Sequence, residues 1–281
     1  MNITETLKKA TEILHESGLA EPRREANSLL AFALGKDRTF LITRSNYELS
    51  QAEEIKFQAI LKRRAQREPL QYITGRQEFY GLDFRVSRDV LIPRPETEII
   101  VENSIEILKT LENSRFCEIG VGSGCISVAI LHNVESASAV GLDVAEKALE
   151  IARANAENHR VSERFDLKIS NVFDALKDEK FDLIVSNPPY IPRAKIAGLQ
   201  VEVRDYEPLN ALTDGDDGLS IIEKIAAGAP AYLNPDGFLL MEIGFGQAAD
   251  VKGLFDRKIW RVFEILPDLQ GIPRTVRAQV F

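Results

Sequence analysis

Apolar residues recur at helical spacing near the start of the chain. Ile3, Leu7, Ala10 and Leu14 fall on one face of a helix, with polar residues between them. Gly18 follows this run, and glycine commonly ends a helix because it adopts a left-handed backbone conformation without strain. The pattern predicts an amphipathic helix whose apolar face packs against other elements.

Two more helices follow in the same region. Pro22 is a favourable first-turn residue, and the apolar positions after it continue to Gly35. Ser50 and Glu53 have the S-x-x-E spacing of a capping box, in which each side chain bonds the backbone N–H of the other residue. This third helix is expected to end before Pro69. We predict that residues 1–71 form a small helical domain that docks a partner.

The spacing of apolar residues changes from a helical to an alternating pattern after this helical region. Leu82, Phe84 and Val86 alternate with polar residues, directly after the tripeptide Phe-Tyr-Gly, which indicates a short β-hairpin. The segment LIPRPETE at 91–98 contains two prolines, which hold the backbone extended and interrupt regular structure. Residues 72–95 are therefore predicted to form a hairpin linker that also contributes a wall to a neighbouring site.

Helices and strands alternate in the remaining residues, 96–281. Helical patterns are clearest over Ala145–Asn158 and Leu219–Leu233. The predicted strands are Arg115–Ile119, Ala139–Asp143, Phe165–Ile169, Leu183–Ser186, Gly237–Ile243, Arg261–Leu266 and Val276–Phe281. Alternation of this kind is typical of an α/β domain with an open, mostly parallel sheet covered by helices on both faces. Ligands bind to such sheets beyond the carboxyl ends of the strands.

Charge and composition restrict the partners. Hydrophobic residues make up 44% of the 281 residues, a globular proportion, and the net charge is −8. A negative protein does not favour a polyanion, so no direct binding of nucleic acid is expected. No run of about 18 apolar residues predicts a membrane span. The two cysteines, Cys117 and Cys125, are expected to be buried thiols of a cytoplasmic protein without a metal site.

The first strand of the α/β region ends in a glycine-rich turn. Glycines at this position allow the backbone to bend sharply and to approach a ligand closely. The candidate binding residues of the turn are Gly120, Val121, Gly122, Ser123 and Gly124. Asp143 ends the next strand, where its carboxylate can accept hydrogen bonds from both hydroxyls of a ribose.

The acid before the turn discriminates between cofactors. Glu118 would repel the pyrophosphate of a dinucleotide, but it would attract the cationic amino group of a methionine. The spacing G-x-G-x-G also differs from the dinucleotide fingerprint. These residues predict binding of S-adenosyl-L-methionine, with S-adenosyl-L-homocysteine as the product. Asn171 and Val172, which follow the third strand, are the expected contacts to adenine.

A second candidate site follows the fourth strand. Asn187, Pro188, Pro189 and Tyr190 form the sequence N-P-P-Y, in which two consecutive prolines end the strand and fix the backbone. The Asn187 side chain and the Pro188 carbonyl become two fixed acceptors that can hold both hydrogens of a planar –NH₂ group, with Tyr190 stacked on its face. Asn187 also lies near the expected cofactor. The motif predicts methyl transfer to a neutral nitrogen by orientation rather than by a strong base or a metal.

Taken together, these segments resemble the HemK/PrmC family of protein-(glutamine-N5) methyltransferases. In the α/β region the resemblance is carried by EIGVGSGCISVAI, GLDV, IVSNPPYI, EVRDYEPLNAL, DGFLLMEIGFGQ and DLQGIPRTVRAQ. In the first half it is carried by REPLQYITGRQEFYGLDFRV and LIPRPETE. The resemblance covers essentially the whole chain, although the N-terminal helices match mainly in length and position.

The resemblance implies a Rossmann-like, seven-stranded methyltransferase sheet, joined by a β-hairpin to an N-terminal helical domain. It implies that the substrate is the glutamine of the Gly-Gly-Gln loop in class I peptide chain release factors, and that Arg94 and Glu96 shape the pocket. Two positions depart from the family pattern. Glu118 stands where aspartate is usual, and Asn171–Val172 replace an acid and a larger apolar residue.

Three alternatives stay open on sequence grounds. The acceptor could instead be a glutamine of a ribosomal large-subunit protein, which requires the same chemistry. It could be the exocyclic amine of adenine in DNA or RNA, which fits the same pair of acceptors but disagrees with the acidic charge. The chain could also bind the cofactor without catalysis, a reading that the intact N-P-P-Y motif disfavours.

Overall fold

The computed structural model describes residues 1–281, and the chain forms two compact units. The first unit comprises residues 1–76 and 200–206, and the second comprises residues 77–199 and 207–281. None of the helices combines the length and apolar character needed to cross a bilayer.

The α-helices are α1 (Ile3–Glu16), α2 (Pro22–Leu34), α3 (Arg38–Thr43), α4 (Gln51–Ala65), α5 (Leu70–Thr74), α6 (Glu98–Leu108), α7 (Cys125–Asn133), α8 (Glu146–Asn158), α9 (Val201–Tyr206), α10 (Leu209–Leu212), α11 (Ser220–Gly228) and α12 (Ala248–Lys252). The β-strands are β1 (Arg76–Phe79), β2 (Leu82–Arg85), β3 (Arg115–Ile119), β4 (Ser138–Asp143), β5 (Phe165–Ile169), β6 (Phe181–Ser186), β7 (Leu233–Glu242), β8 (Trp260–Pro267) and β9 (Pro273–Val280).

The first unit is built on α1, α2 and α4, the three helices predicted from apolar spacing. Pro22 opens α2, and Gly35 ends it with a left-handed backbone at φ +63°. Ser50 and Glu53 form the predicted capping box at the start of α4. The short helices α3 and α5 were not predicted, because single turns leave little periodic signal. Buried side chains of all five helices form one apolar core.

Helix α9 belongs to this first unit, although its sequence lies far from the other helices. Its Glu202 accepts hydrogen bonds from the guanidinium groups of Arg67, at 2.7 Å, and Arg64, at 3.2 Å. The Tyr206 hydroxyl donates to the backbone oxygen of Gln66 at 2.6 Å. Residues 200–206 are therefore held in the first unit by ion pairs and a hydrogen bond rather than by an apolar face.

The predicted hairpin is formed by β1 and β2. A two-residue turn, Tyr80–Gly81, joins the strands with both residues at positive φ, +53° and +74°. This backbone twist matches that of the flanking strands, which is why such turns favour short hairpins. Phe79 and Phe84 are buried and pack edge to face, with ring centroids 6.1 Å apart.

The second unit contains the predicted seven-stranded sheet, in the order β5-β4-β3-β6-β7-β9-β8. Strands β3 to β7 are parallel to one another, whereas β9 is antiparallel to both β7 and β8. Because the chain passes from β3 to β4 on one side and later to β6 on the other, the strand order reverses at β3. The carboxyl end of such a strand is where open α/β sheets bind ligands.

Two apolar layers cover the faces of this sheet, as the alternation of side chains along each strand requires. Phe116 packs into the layer that contains α6, α7 and α8, and its neighbour Cys117 packs into the layer with α11 and α12. Cys117 and Cys125 are buried free thiols, as expected. Burial raises the pKa of Cys125 to about 12, so this thiol stays protonated.

The largest differences between the predicted and the observed bounds are at the end of one helix and at the start of strand β7. The helix predicted over Leu219–Leu233 ends earlier, at Gly228, and a 3-10 turn with Pro230 leads into β7. Proline has no N–H to continue an α-helix, which explains the early end. Strand β7 begins before the predicted Gly237 and ends at Glu242 rather than Ile243. Glu242 is thus the last residue of a central strand, at the carboxyl edge of the sheet.

Candidate active site

The glycine turn and the N-P-P-Y motif leave the sheet side by side. Strands β3 and β6 are parallel neighbours, with Ile119 and Ser186 in register, and the Ser186 hydroxyl donates to the Ile119 oxygen at 2.8 Å. A Cβ added to Gly120 would lie 3.8 Å from the backbone oxygen of Asn187. The two segments that the sequence singled out are therefore in direct proximity.

A cavity of about 300 Å³ opens at this edge, and all the residues that line it belong to the second unit. The sequence-predicted residues in its wall are Arg94, Glu118, Gly120, Val121, Gly122, Ser123, Asp143, Asn171, Val172, Asn187 and Pro189. The remaining four, Glu96, Gly124, Pro188 and Tyr190, lie outside this lining. Gly124 instead precedes α7 in a left-handed conformation, where its close approach to Ala152 leaves little space for a side chain.

Asp143 is held rigidly at the end of β4. One carboxylate oxygen accepts from the backbone N–H of Gly122 at 2.9 Å, and the other accepts from the N–H of Ala145 at 2.9 Å. Burial raises the pKa of Asp143, although these backbone hydrogen bonds favour the ionised form. Each oxygen keeps a further lone pair, so the carboxylate can still accept two hydrogen bonds from a ligand.

Glu118 is nearly inaccessible, with 1% of its surface exposed. One of its oxygens accepts from the N–H of Ser127 at 3.0 Å and from the Ser127 hydroxyl. Burial raises the pKa of Glu118 to about 8, the Ser127 hydrogen bonds oppose this change, and the Asp143 charge adds to it. A buried acid with one neutral partner in a cavity wall is suited to pair with a cation.

The loop after β5 places Asn171 and Val172 in the same wall. Val172 has a φ of +52°, unusual for a β-branched residue, and its side chain is buried. The Ser170 hydroxyl donates to the Val172 oxygen at 3.0 Å and accepts from the Ala175 N–H at 3.0 Å. These bonds fix a loop that presents Asn171 to solvent and Val172 to the core.

The backbone of the N-P-P-Y motif is fixed on its far side by the segment from 212 to 218. Tyr190 and Thr213 form an isolated β-bridge, and the N–H of Ile191 donates to the Leu212 oxygen at 2.9 Å. The side-chain amide of Gln247 donates to the backbone oxygens of Tyr190, at 3.0 Å, and of Gly218, at 3.2 Å. The prolines are thus not the sole restraint on this motif.

The side chains of the motif reach a buried acid that the sequence analysis did not identify. The Tyr190 hydroxyl donates to Glu242 at 2.8 Å, and the Thr97 hydroxyl donates to the other oxygen of Glu242 at 2.6 Å. Asn187 donates from its amide nitrogen to the Thr97 oxygen at 3.1 Å. Burial raises the pKa of both Tyr190 and Glu242.

A second missed acid anchors the PRPET segment. Glu207 is buried, and its carboxylate accepts from the Arg94 guanidinium and, at 3.4 Å, from the backbone N–H of Ile92. Arg94 also donates to the Ile92 oxygen at 2.9 Å. The arginine is therefore committed to the cavity wall. The sequence carries a signal for only one of these two acids. Glu242 ends a central strand, as Asp143 does, and that position is a signal for a site residue. Glu207 lies in a loop, so its position gives no such signal.

Gly218 provides a test of how strictly the motif must be held. A Cβ at this position would lie 2.1 Å from the Tyr190 oxygen, and the residue has a φ of +84°. We expect Gly218→Ala to displace the motif and to lower turnover between about ten- and a hundredfold, since sub-ångström alignment is required for transfer. Turnover is measured at saturating substrates on the folded protein.

Gly215→Ala is the matched control. Gly215 has a similar φ of +95°, but no atom lies within 4 Å of an added Cβ. The control shares the cost of forcing a side chain into positive φ, about 1–2 kcal/mol, without the collision. It should lower the melting temperature and leave turnover close to that of the wild type. Equal turnover in both variants would contradict the role of Gly218.

Comparison with known proteins agrees with this architecture. The family described as PrmC N-terminal domain matches residues 5–75, and the methyltransferase small domain matches residues 99–201. Among solved structures, a methyltransferase from Pyrococcus furiosus has a TM-score of 0.52 and 19% identity, over 72% of this chain and 90% of its own. A putative methyltransferase complexed with SAH has a TM-score of 0.51 and 13% identity, over 71% and 54%.

The fold and the catalytic domain define the class: this is an S-adenosylmethionine-dependent methyltransferase. Relatives in sequence are more specific. The release factor glutamine methyltransferase of Geobacter sulfurreducens is 44% identical over 267 residues, which is 95% of this chain and 93% of that protein. The one of Koribacter versatilis is 37% identical over 277 residues, or 98% of each chain. The chain belongs to the family of release factor glutamine methyltransferases.

Proposed function

We propose that this enzyme transfers a methyl group from S-adenosyl-L-methionine to the side-chain amide nitrogen, N5, of the glutamine in the Gly-Gly-Gln loop of class I peptide chain release factors. The observation that carries the proposal is the shared cavity. Asn187 and the turn from Gly120 to Ser123 line the same space at the carboxyl edge of β3 and β6. Direct transfer needs the donor and acceptor sites in contact, and the shared lining supports such an arrangement.

The residues present suit this donor. Asp143 would accept hydrogen bonds from the ribose hydroxyls, Glu118 would face the cationic amino group, and Val172 would pack against adenine, with the glycine turn beneath. Each lines the cavity. When bound, the donor supplies a methyl group on a sulfonium, which is already a good leaving group. The protein therefore has to orient the acceptor and to exclude water, and it needs no strong base.

Asn187 is the central acceptor in this scheme. Its amide nitrogen is used by Thr97, so its carbonyl oxygen is the end left to receive an N–H from the substrate. The Pro188 carbonyl would receive the second N–H, and Pro189 and Tyr190 would confine the planar amide. These bonds localise the lone pair on the substrate nitrogen and direct it towards the methyl group. Arg94 and Glu96 would complete the substrate side of the pocket.

We assign substrate docking to the first unit. All the residues of the catalytic cavity belong to the second unit, so the helical unit contributes nothing to the chemistry itself. Several of its apolar side chains are exposed, among them Ile42 at 67% and Ile55 at 64%. Exposed apolar side chains can contribute to the contact with a protein substrate. The domain division that we propose is a docking domain at 1–71, a linker at 72–95 and a catalytic domain at 96–281.

The direct experiment is mass spectrometry of a purified release factor after incubation with the enzyme and the methyl donor. We expect a gain of one methyl group on the glutamine of the Gly-Gly-Gln loop, and none when that glutamine is replaced by alanine. Parallel reactions contain a ribosomal large-subunit protein fraction, or DNA and RNA oligonucleotides. Methylation of those substrates, without methylation of the release factor, would overturn the proposal.

The raised pKa of Glu118 predicts that the affinity for the methyl donor depends on pH. Its pKa of about 8 in the ligand-free protein means that the carboxyl is mostly protonated at neutral pH. Binding of an ammonium group favours the ionised form, so the proton must leave when the donor binds. Affinity should therefore rise with pH between about 6 and 7.5, by up to about tenfold per pH unit. Calorimetry in buffers of different ionisation enthalpy should show proton release.

Glu118→Gln is the control for this linkage. The amide keeps the size and the capacity to accept from Ser127, but it does not titrate. The variant should bind the donor more weakly than the wild type at pH 7.5, with no pH dependence from this position and no proton release. Undiminished proton release in the variant would assign the linkage to another group.

A further inference from the structure

Glu242 occupies an unusual position for a carboxyl group. It is the last residue of β7, and 2% of its surface is exposed. Strands β6 and β7 are parallel, with Ser186 and Met241 in register, so Glu242 stands beside Asn187 at the carboxyl edge. Isolating an acid from water costs several kcal/mol unless its oxygens are satisfied. Here both oxygens are used, one by Tyr190 and one by Thr97.

The hydrogens of this network leave one arrangement when Glu242 is ionised. Thr97 has a single hydroxyl hydrogen, which it donates to Glu242 at 2.6 Å. Its oxygen can then only accept, so the Asn187 group that faces it at 3.1 Å must be the NH₂ end of the amide. The carbonyl oxygen of Asn187 consequently faces away from Thr97. With the carboxylate ionised, hydrogen-bond chemistry therefore sets which end of the Asn187 amide faces Thr97.

We propose that Glu242 is the positioning residue that orients both polar side chains of the N-P-P-Y motif, Asn187 through Thr97 and Tyr190 directly. The inference rests on the proposed function, since it concerns how the acceptor for the substrate amide is aligned. Glu242 touches neither donor nor substrate in this scheme. It fixes which end of the Asn187 amide faces Thr97 and holds the Tyr190 ring by its hydroxyl. One buried group thereby holds both polar side chains of the motif.

The surroundings agree with an acid retained for orientation. Arg274 is the cation whose field favours the ionised carboxylate, and Glu96 is the acid that opposes it. Arg274 also bonds Asp268, at 3.3 Å, so its charge is shared. Both oxygens of the Glu242 carboxylate hold the catalytic motif, one through Tyr190 and the other through Thr97.

Glu242→Gln tests the proposal with little change in volume. A glutamine amide at this position offers one acceptor and one donor. If its NH₂ faces Thr97, the Thr97 hydrogen is free to bond the Asn187 oxygen, and the Asn187 amide turns over; if it faces Tyr190, the tyrosine loses its acceptor. We expect turnover to fall about ten- to a hundredfold, with donor affinity within about twofold of the wild type.

Threonine variants test the relay without altering the acid. Thr97→Val removes the hydroxyl at nearly constant shape and should also lower turnover, about tenfold or more, whereas Thr97→Ser should restore most of the loss. The matched control is Thr275→Val. Thr275 is buried on β9, in register with Glu242, and its hydroxyl has no hydrogen-bond partner. This change should leave turnover unaltered.

A double variant separates positioning from general stability. If Thr97 acts through Asn187, Thr97→Val should add no loss to that of Asn187→Ala, because the group being oriented is already gone. A full additional loss would mean that the two act independently and would overturn the relay. This comparison remains informative if Glu242→Gln fails to fold, because Glu242 is intact in both variants.

The wild-type reaction distinguishes the two levels of inference. A wild-type enzyme that does not methylate the release factor overturns the proposed function. An active wild type together with equally active Glu242→Gln and Thr97→Val variants overturns only the positioning role. Loss of turnover in Thr97→Val, rescue by Thr97→Ser and neutrality of Thr275→Val support it.

Discussion

Replacing Asn187 by alanine is expected to lower turnover by about a hundredfold, roughly 3 kcal/mol in the transition state. The affinity for the methyl donor should remain within about twofold of the wild type. The reason is geometric: the amide nitrogen of Asn187 donates to Thr97, which leaves the oxygen as the acceptor that we propose for the substrate amide. Without this acceptor, the lone pair of the substrate amide nitrogen should be neither localised nor directed towards the methyl group of the donor.

The measurement requires both kinetic and binding data. Turnover is taken from single-turnover reactions with excess enzyme, and donor affinity is taken from calorimetry. Asn103→Ala is a matched control, because Asn103 is partly buried and donates to a backbone oxygen, Ile99 at 2.9 Å, within its own helix. This control should show wild-type turnover. Turnover in Asn187→Ala within a factor of about two of the wild type would remove the residue from the mechanism.

The strands of the central sheet could be predicted from the sequence, because the residue pattern that marks a strand lies within the strand itself. The strands Arg115–Ile119 and Phe165–Ile169 were predicted at their observed bounds. Both are short segments in which apolar residues predominate, a length and composition that indicate strands. The capping box at Ser50 and the glycine stop at Gly35 are equally local signals. Elements of this kind need no knowledge of what packs against them.

The parts that escaped prediction depend on contacts between distant residues. Helix α9 is held by Glu202, whose partners Arg64 and Arg67 lie 138 and 135 positions away in sequence. Periodicity in the sequence does not predict such a pairing, so nothing indicated that residues 200–206 belong to the first unit. Its six residues are also too few to show a face.

The candidate site shows the same division. Predicted residues that belong to a strand-end motif, such as Asp143 and Asn187, line the cavity. The network that holds them was not visible, because Thr97 and Glu242 are 145 positions apart. Sequence therefore indicates which groups can meet a ligand, since those follow strands directly. It does not indicate which groups hold them, since the partners are chosen by the packing of separate segments.

Replacing Asp143 by alanine is expected to weaken the binding of the methyl donor by about a hundredfold, because hydrogen bonds to a charged acceptor contribute about 1.5–3 kcal/mol each. Turnover at saturating donor should change much less, since we propose that the carboxylate contacts the ribose rather than the reacting atoms. Part of the loss arises within the protein. The N–H groups of Gly122 and Ala145 both donate to Asp143, at 2.9 Å, and without it the glycine turn loses its anchor.

Two further variants separate these contributions. Asp143→Asn keeps the shape but places an NH₂ against one of the two backbone N–H donors, so either Gly122 or Ala145 loses its acceptor. Its donor affinity should fall between those of wild type and Asp143→Ala. Asp166→Ala removes an exposed acid from the neighbouring strand β5, outside the cavity, and should bind the donor normally. Unchanged affinity of Asp143→Ala by calorimetry would rule out the proposed contact of Asp143 with the ribose.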